Sequence, residues 1–264
     1  MTSCTIAIDA TGLEASLHRT VLASMPNSYR LVDGDAEVVL VSASDPANVE
    51  RLCSDATRAI VVDQPGRLAS HELAAISEAA DRHSCIVVPA LRYAPRVEAA
   101  GELLGTARVD LLESTINSHD TLRSSLVEQL ALVRSLLGPV ASIRVLHSSV
   151  SHYVVEATMA NSAKSQVLLN GLTSPNAVDE ASVHAVSAER RLAVRIDAGP
   201  LARPAEICCY DGDGEHSPWP LHQHAHRITL ARLHRLLTTR ESDLTYSLQD
   251  LHHDVQLAAA LTGP

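Results

Sequence analysis

Short apolar runs alternate with helix-spaced segments through the first ninety residues, and this alternation constrains the fold more than anything else in the chain. Thr5-Ile6-Ala7-Ile8 reads as a buried strand, followed at 13–25 by apolar residues at Leu13, Leu17, Val21 and Leu22, which is helical spacing. A second strand-like run covers 36–41, and a short helix covers 45–53 with Asp45 as N-cap and Pro46 as its first residue. Ala59-Ile60-Val61-Val62, a helix at 70–83 capped by Ser70, and Cys85-Ile86-Val87-Val88 complete the series. Strands alternating with helices predict a parallel, doubly wound sheet over residues 1–90.

The pattern changes beyond residue 90. Helices are expected at 93–104 and 118–137, the second stopped by Gly138-Pro139. Short β-like runs follow at 142–150, 153–159, 164–169, 182–188, 191–197 and 205–210, with loops at 170–179 and 211–220. Two last helices are expected at 222–239 and 247–261. The fold class is therefore α/β: a truncated parallel sheet, then an α+β domain (91–264) with an open, mainly antiparallel sheet and returning C-terminal helices.

Composition narrows the function. A net charge of −10, 2% aromatic residues and no Phe leave neither a basic stripe nor a stacking surface, which argues against nucleic acid. No apolar run is long enough to cross a bilayer. Met1-Thr2-Ser3-Cys4 lacks a basic segment leading into an apolar one, so no signal peptide is expected. Five scattered cysteines fit reduced thiols in a cytoplasmic protein.

Asp63-Gln64-Pro65, between a strand and a helix, is the most informative short motif. Together with Ile60-Val61-Val62, the helix at 72–80 and Ile86-Val87-Val88, it resembles the glucose-fructose oxidoreductase/inositol dehydrogenase (Gfo/Idh/MocA) family, whose signature at this place is Glu-Lys-Pro or Glu-His-Pro. Leu91-Arg92-Tyr93-Ala94-Pro95 and Leu169-Asn170-Gly171-Leu172-Thr173-Ser174-Pro175 resemble the thiazolinyl imine reductases within it. The resemblance implies a Rossmann-like nucleotide domain, NAD(P)-dependent chemistry and burial of the open sheet in a dimer.

Three departures weigh against that chemistry. A dinucleotide fold places G-x-G-x-x-G after its first strand, so that bare backbone approaches the pyrophosphate. Here that place reads Ile8-Asp9-Ala10-Thr11-Gly12-Leu13, with a carboxylate at the first glycine position. The segment 29–37 is too short for the next strand and helix of a full family member, and with them goes the residue that selects the adenosine ribose. The family's D-x-x-x-H pair falls on Ser124 and Glu128, and its Lys or His on Gln64, whose amide transfers no proton. Tyr93 is the main surviving proton donor; against this stands the plainer reading of a ring packed under the following helix. The candidate catalytic residues are Tyr93, Gln64 and Glu128, with no cofactor-binding or metal-ligating residue expected.

His222-x-His224-x-His226 invites a metal, since His222 and His226 have i,i+4 spacing, but no third ligand is near in sequence. His252-His253-Asp254 reads as a solvated helix face, Cys208-Cys209 as two independent thiols, and Asp211-Gly212-Asp213-Gly214-Glu215 as a hairpin loop. The leading expectation is a cofactor-free, non-redox partner or accessory protein in a biosynthetic pathway, such as a peptide natural product or siderophore route. It would act as a homodimer, as a heterodimer with a paralogous reductase, or on a small-molecule or carrier-bound intermediate. The alternatives are an NAD(P)H-dependent imine reductase using Tyr93, and a non-redox isomerase or cyclase working in the family's substrate cleft.

Overall fold

The computed structural model describes residues 3–9, 12–54, 57–105, 108–161, 165–199, 203–219 and 222–262. Ala10, Thr11, Lys164 and Pro220, which enter the sequence reading, lie outside the described residues. The chain divides into two compact units, Met1–Leu91 with His224–Val255 and Arg92–Gln223 with Gln256–Pro264. Among the described residues no helix is long and apolar enough to cross a membrane.

The first unit carries β1 (Cys4–Asp9), α1 (Gly12–Ala23), β2 (Tyr29–Leu31), β3 (Val38–Ser42), α2 (Pro46–Ser54), β4 (Ala59–Asp63), α3 (Ser70–His83) and β5 (Ile86–Ala90). The strands form one parallel sheet in the order β2-β1-β3-β4-β5. Every residue of β3 and β4 is buried, the near-continuous apolar run expected of strands covered on both faces. Asp45 Oδ1 accepts the Asn48 N–H at 3.1 Å and caps α2 as expected. Ser70 does not cap α3: Ala69 is the N-cap, and its N–H donates to Glu72 Oε2 at 2.6 Å.

The segment 29–37 departs from the sequence reading in one respect. It does contain a strand, β2, but no helix follows it. Register explains why none is needed. Leu31, the last residue of β2, and Val38, the first of β3, both lie beside Ile6 of β1. Parallel strands ordinarily need a crossover of about a dozen residues to return the chain to its starting level. Here the chain only steps across one strand, about 10 Å, and residues 32–37 suffice. Glu37 fastens this link: its N–H donates to Thr5 Oγ1 at 2.9 Å, and its carboxylate accepts the Thr5 N–H at 3.1 Å.

The second unit carries α4 (Glu98–Leu104), β6 (Leu111–Ser118), α5 (Leu122–Leu137), β7 (Val140–Ser148), β8 (His152–Met159), β9 (Gln166–Thr173), β10 (Glu180–Val186), β11 (Arg191–Asp197), β12 (Glu206–Asp211) and β13 (Gly214–His216). Its eight strands run β13-β12-β11-β10-β6-β9-β8-β7, antiparallel except for the central parallel pair β6–β9. The first residues of the helix expected at 118–137 are instead the end of β6 and a turn. β6 buries Leu112, Ser114, Ile116 and Ser118 on one face; two serines in that set hide the alternation from a hydropathy reading.

α5 starts where Thr121 Oγ1 accepts the Ser124 N–H at 3.2 Å and stops at Gly138, whose φ of 92° favours glycine. Its residues 124–133 are all buried, polar ones included. Gln129 satisfies its amide by donating to Ser114 Oγ and the Asn170 carbonyl, both at 3.0 Å, and by accepting the Tyr153 hydroxyl at 2.7 Å. A Cβ on Gly171 would lie 2.0 Å from the Tyr153 ring, so that glycine makes room for the tyrosine.

Two helices close the chain, α6 (Ala225–Thr239) and α7 (Leu248–Ala258). The sequence pattern places these returning helices with the sheet domain. α6 instead belongs to the first unit, because Leu230 and Leu233 join the core of Ile6, Val38, Leu40 and Val61, and the Tyr29 hydroxyl donates to the Leu230 carbonyl at 2.8 Å. Asp254 is not on a solvated face: it is fully buried and accepts the Tyr246 hydroxyl at 2.9 Å.

Candidate functional site

At the carboxyl edge of the first unit's sheet, β4 ends in Asp63 and the chain turns sharply at Gln64. Gln64 has φ 52° and ψ 47°, a left-handed conformation uncommon for a residue with a side chain. Its N–H donates to Asp63 Oδ1 at 2.9 Å, and Pro65 opens a single 3-10 turn. Gln64 is therefore the residue that bends the chain, its side chain half-buried.

Asp63 is 3% exposed and is the hub of the turn. His18 of α1 directs Nε2 to Asp63 Oδ2 at 3.0 Å, and His226, in the first turn of α6, directs Nε2 to Oδ1 at 2.9 Å. Burial alone would raise this carboxyl; the imidazoles of His226 and His18 outweigh it and hold it well below the usual carboxylate range. His224 caps α6, its Nδ1 accepting the His226 N–H at 3.3 Å, and its ring stacks on that of His226 with centroids 4.8 Å apart. The pairing of His222 with His226 read from the sequence is not the one that forms. His222 precedes the helix and is exposed, while His226 finds its acid 163 positions away.

In the second unit Tyr93 and Glu128 come together around Arg92. The Arg92 N–H donates to both Glu128 oxygens, at 3.1 and 3.2 Å, and its guanidinium reaches Glu128 Oε1 at 3.4 Å, Asp179 Oδ2 at 3.2 Å and Asp120 Oδ2 at 3.7 Å. His119, half-exposed, contacts Asp179 Oδ1 through Nδ1 at 2.9 Å, and the Ser124 hydroxyl donates to Asp120 Oδ2 at 3.1 Å. One guanidinium faces three buried acids. Burial pushes the Glu128 carboxyl up; Arg92 opposes this, and the Asp120 charge adds to it. The guanidinium carbon lies 5.6 Å from the centre of the Tyr93 ring. The tyrosine is fully buried, its hydroxyl has no hydrogen-bond partner among the described residues, and burial raises its pKa. Gln64, the third predicted residue, belongs to the other unit.

Sequence reasoning missed His18, Arg92, Asp120 and Asp179. Two of these carry a signal. His18 precedes Val21 and Leu22 by three and four positions, so it lies on the buried face of its helix. Asp120, Ser124 and Glu128 recur every four residues, with Asp120 in the turn just before α5, where its carboxylate accepts the Ser124 hydroxyl. Asp179 has no such signal, since the register of β10 brings it in from a loop.

The nucleotide place can be tested against its residues. Asp9, the last residue of β1, holds its carboxylate in a 2.8 Å hydrogen bond from Asn48 Nδ2, where a pyrophosphate would require uncharged backbone. No helix follows β2, and the Asp63 carboxylate is engaged on both oxygens. One residue points the other way: Asp33, two positions beyond β2, is an exposed acid near where such folds hold a ribose.

No family model and no curated protein matches the chain. Solved structures do. A candidate NADPH-dependent oxidoreductase from Desulfitobacterium hafniense aligns over 98% of this chain and 95% of its own, with a TM-score of 0.79 at 10% identity. The UDP-N-acetylglucosamine 3-dehydrogenase GnnA from Acidithiobacillus ferrooxidans aligns over 99% and 97%, with a TM-score of 0.74 at 11% identity. The WlbA dehydrogenase from Bordetella pertussis, in complex with NADH and UDP-GlcNAcA, aligns over 99% and 97%, with a TM-score of 0.72 at 11% identity. These neighbours are oxidoreductases of the Gfo/Idh/MocA type. The chain has their fold: a parallel nucleotide-type sheet and a mixed, mainly antiparallel second sheet.

Proposed function

We propose that this chain is a dinucleotide-free relative of the Gfo/Idh/MocA oxidoreductases that serves a biosynthetic pathway as a non-redox partner protein. The observation that carries this reading is the Asp9 carboxylate, tied to Asn48 at the carboxyl end of β1. An anion there repels a pyrophosphate, and the Cβ keeps the backbone away from it. The second unit supports a partner role. Trp219, the only tryptophan of the chain, is 91% exposed, and Val150 is 98% exposed; an exposed indole is a favoured anchor at protein interfaces. The partner is a second copy of the chain or a complete reductase of the same fold, in a pathway such as peptide natural-product or siderophore assembly. The experiment is isolation of the tagged chain from its native host, with a stoichiometric partner or a dimer expected. Recovery as a lone monomer overturns the partner role.

A second reading, a non-redox enzyme such as an isomerase or cyclase, is favoured by the Arg92 cluster. A carboxylic acid that holds its proton above the usual range, beside a fixed cation, is equipped for general acid chemistry. Glu128 would move the proton, Arg92 would stabilise developing negative charge, and Asp179 would orient His119. Turnover of a pathway intermediate without nucleotide, lost in Glu128→Gln, is the expected sign. The redox alternative, an NAD(P)H-dependent imine reductase with Tyr93 as acid, draws on the neighbours' names and on Asp33. Oxidation of NADPH that depends on Tyr93 would establish it.

A further inference from the structure

We propose that His18, Asp63 and His226 form a binding site for a divalent first-row transition-metal ion. Three separate elements supply the ligands: α1, the end of β4 and the start of α6. One ligand atom from each lies within 4.8 Å of the other two, and all three residues are buried. Bonds to such an ion are about 2.0–2.2 Å long, so a closure of under about 1 Å per ligand brings all three to bonding distance. Two imidazoles and one carboxylate are the donor set of open, reactive zinc and non-haem iron sites, with the remaining positions left to water or substrate. The site also has a supporting group, because a ligating histidine needs its other ring nitrogen held. His226 Nδ1 lies 3.0 Å from His224 Nδ1.

The hydrogen bonds leave the ligand atom in place. His224 Nδ1 accepts the backbone N–H of His226 and faces His226 Nδ1 across the ring contact, so His226 is held through Nδ1 while its Nε2 is directed at Asp63 Oδ1. The centre sits at the carboxyl edge of a parallel sheet, where doubly wound folds present their ligands. It would place a Lewis acid there without any dinucleotide.

The test is titration of the metal-stripped full chain with Zn2+, with Co2+ as a spectroscopic reporter, and with Fe2+ under anaerobic conditions. One ion per chain is expected, with a cobalt spectrum showing imidazole ligation. His18→Gln and His226→Gln are each expected to weaken binding by more than the about 10–100-fold loss typical of a supporting residue, which is the loss expected for His224→Gln. Circular dichroism checks that each variant folds. A wild-type chain that takes up none of the three ions overturns the proposal without reference to any variant. Uptake that both ligand variants leave unchanged overturns it equally. Preference for zinc or for iron distinguishes the two chemistries of the same site.

Discussion

In the first unit an acid stands at the centre and donors surround it; in the second a cation stands at the centre and acids surround it. Asp63 receives two imidazoles and a backbone N–H, and its carboxyl is held down. Arg92 receives Glu128, Asp120 and Asp179, and one of those carboxyls is pushed up. Both knots are buried, so desolvation opposes charge in both. The outcome depends on the balance of partners: Asp63 has more donors than it needs, whereas three acids share one guanidinium. A buried anion with converging imidazoles suits a cation; a buried acid that keeps its proton suits proton transfer. Opposite charge arrangements thus sit on one chain, one in each compact unit.

The largest effect should come from emptying the centre of either knot. Asp63→Ala leaves two buried imidazoles without their acceptor and should cost about 3–5 kcal/mol, read from urea midpoints at fixed pH. A loss below about 1 kcal/mol would mean the pairing is no stronger than a surface ion pair. Arg92→Met leaves three buried acids without their shared cation and should cost about 3–5 kcal/mol as well.

Gly171→Ala acts on the second knot from beneath. The new Cβ meets the Tyr153 ring, which holds Gln129, the neighbour of Glu128 on α5. Overpacking of about 1–3 kcal/mol is expected, with the His18–Asp63–His226 centre and its metal uptake untouched. Tyr93→Phe removes a buried hydroxyl that bonds to no described residue, so stability should hold or rise by about 1 kcal/mol. A clear destabilisation would show that the hydroxyl is engaged.

The smallest effect concerns pH. The Glu128 carboxyl is raised in the folded chain, so between its ordinary value and its folded value the unfolded chain has lost a proton that the folded one keeps. Stability therefore falls as pH rises through that window and is unaffected below it. Glu128→Gln should flatten this slope in paired urea titrations; an unchanged slope would assign it to another group.

The sheet strands of the first unit are legible because buried parallel strands are apolar throughout, as in Val38–Ser42 and Ala59–Asp63. β2 and β6 are not, for different reasons. β2 is three residues whose place is set by register against Ile6, and β6 hides its inward face behind Ser114 and Ser118. The sites follow the same division. Asp63, Gln64, Tyr93 and Glu128 stand out because local motifs mark them. The pairings do not: His226 is marked by its histidine motif but not as a partner of Asp63, because His18 and His226 approach Asp63 from 45 and 163 positions away, and Asp179 reaches Arg92 from 87. Sequence marks the residue at the end of a strand; only the packed fold says what faces it.

Calorimetric titration of the full chain with NADPH and with NADH tests the dinucleotide-free reading most directly. No binding heat at millimolar nucleotide is expected on the proposed reading, in which the Asp9 carboxylate repels a pyrophosphate. Micromolar binding of either nucleotide would contradict that reading and put the NAD(P)H-dependent imine reductase in its place.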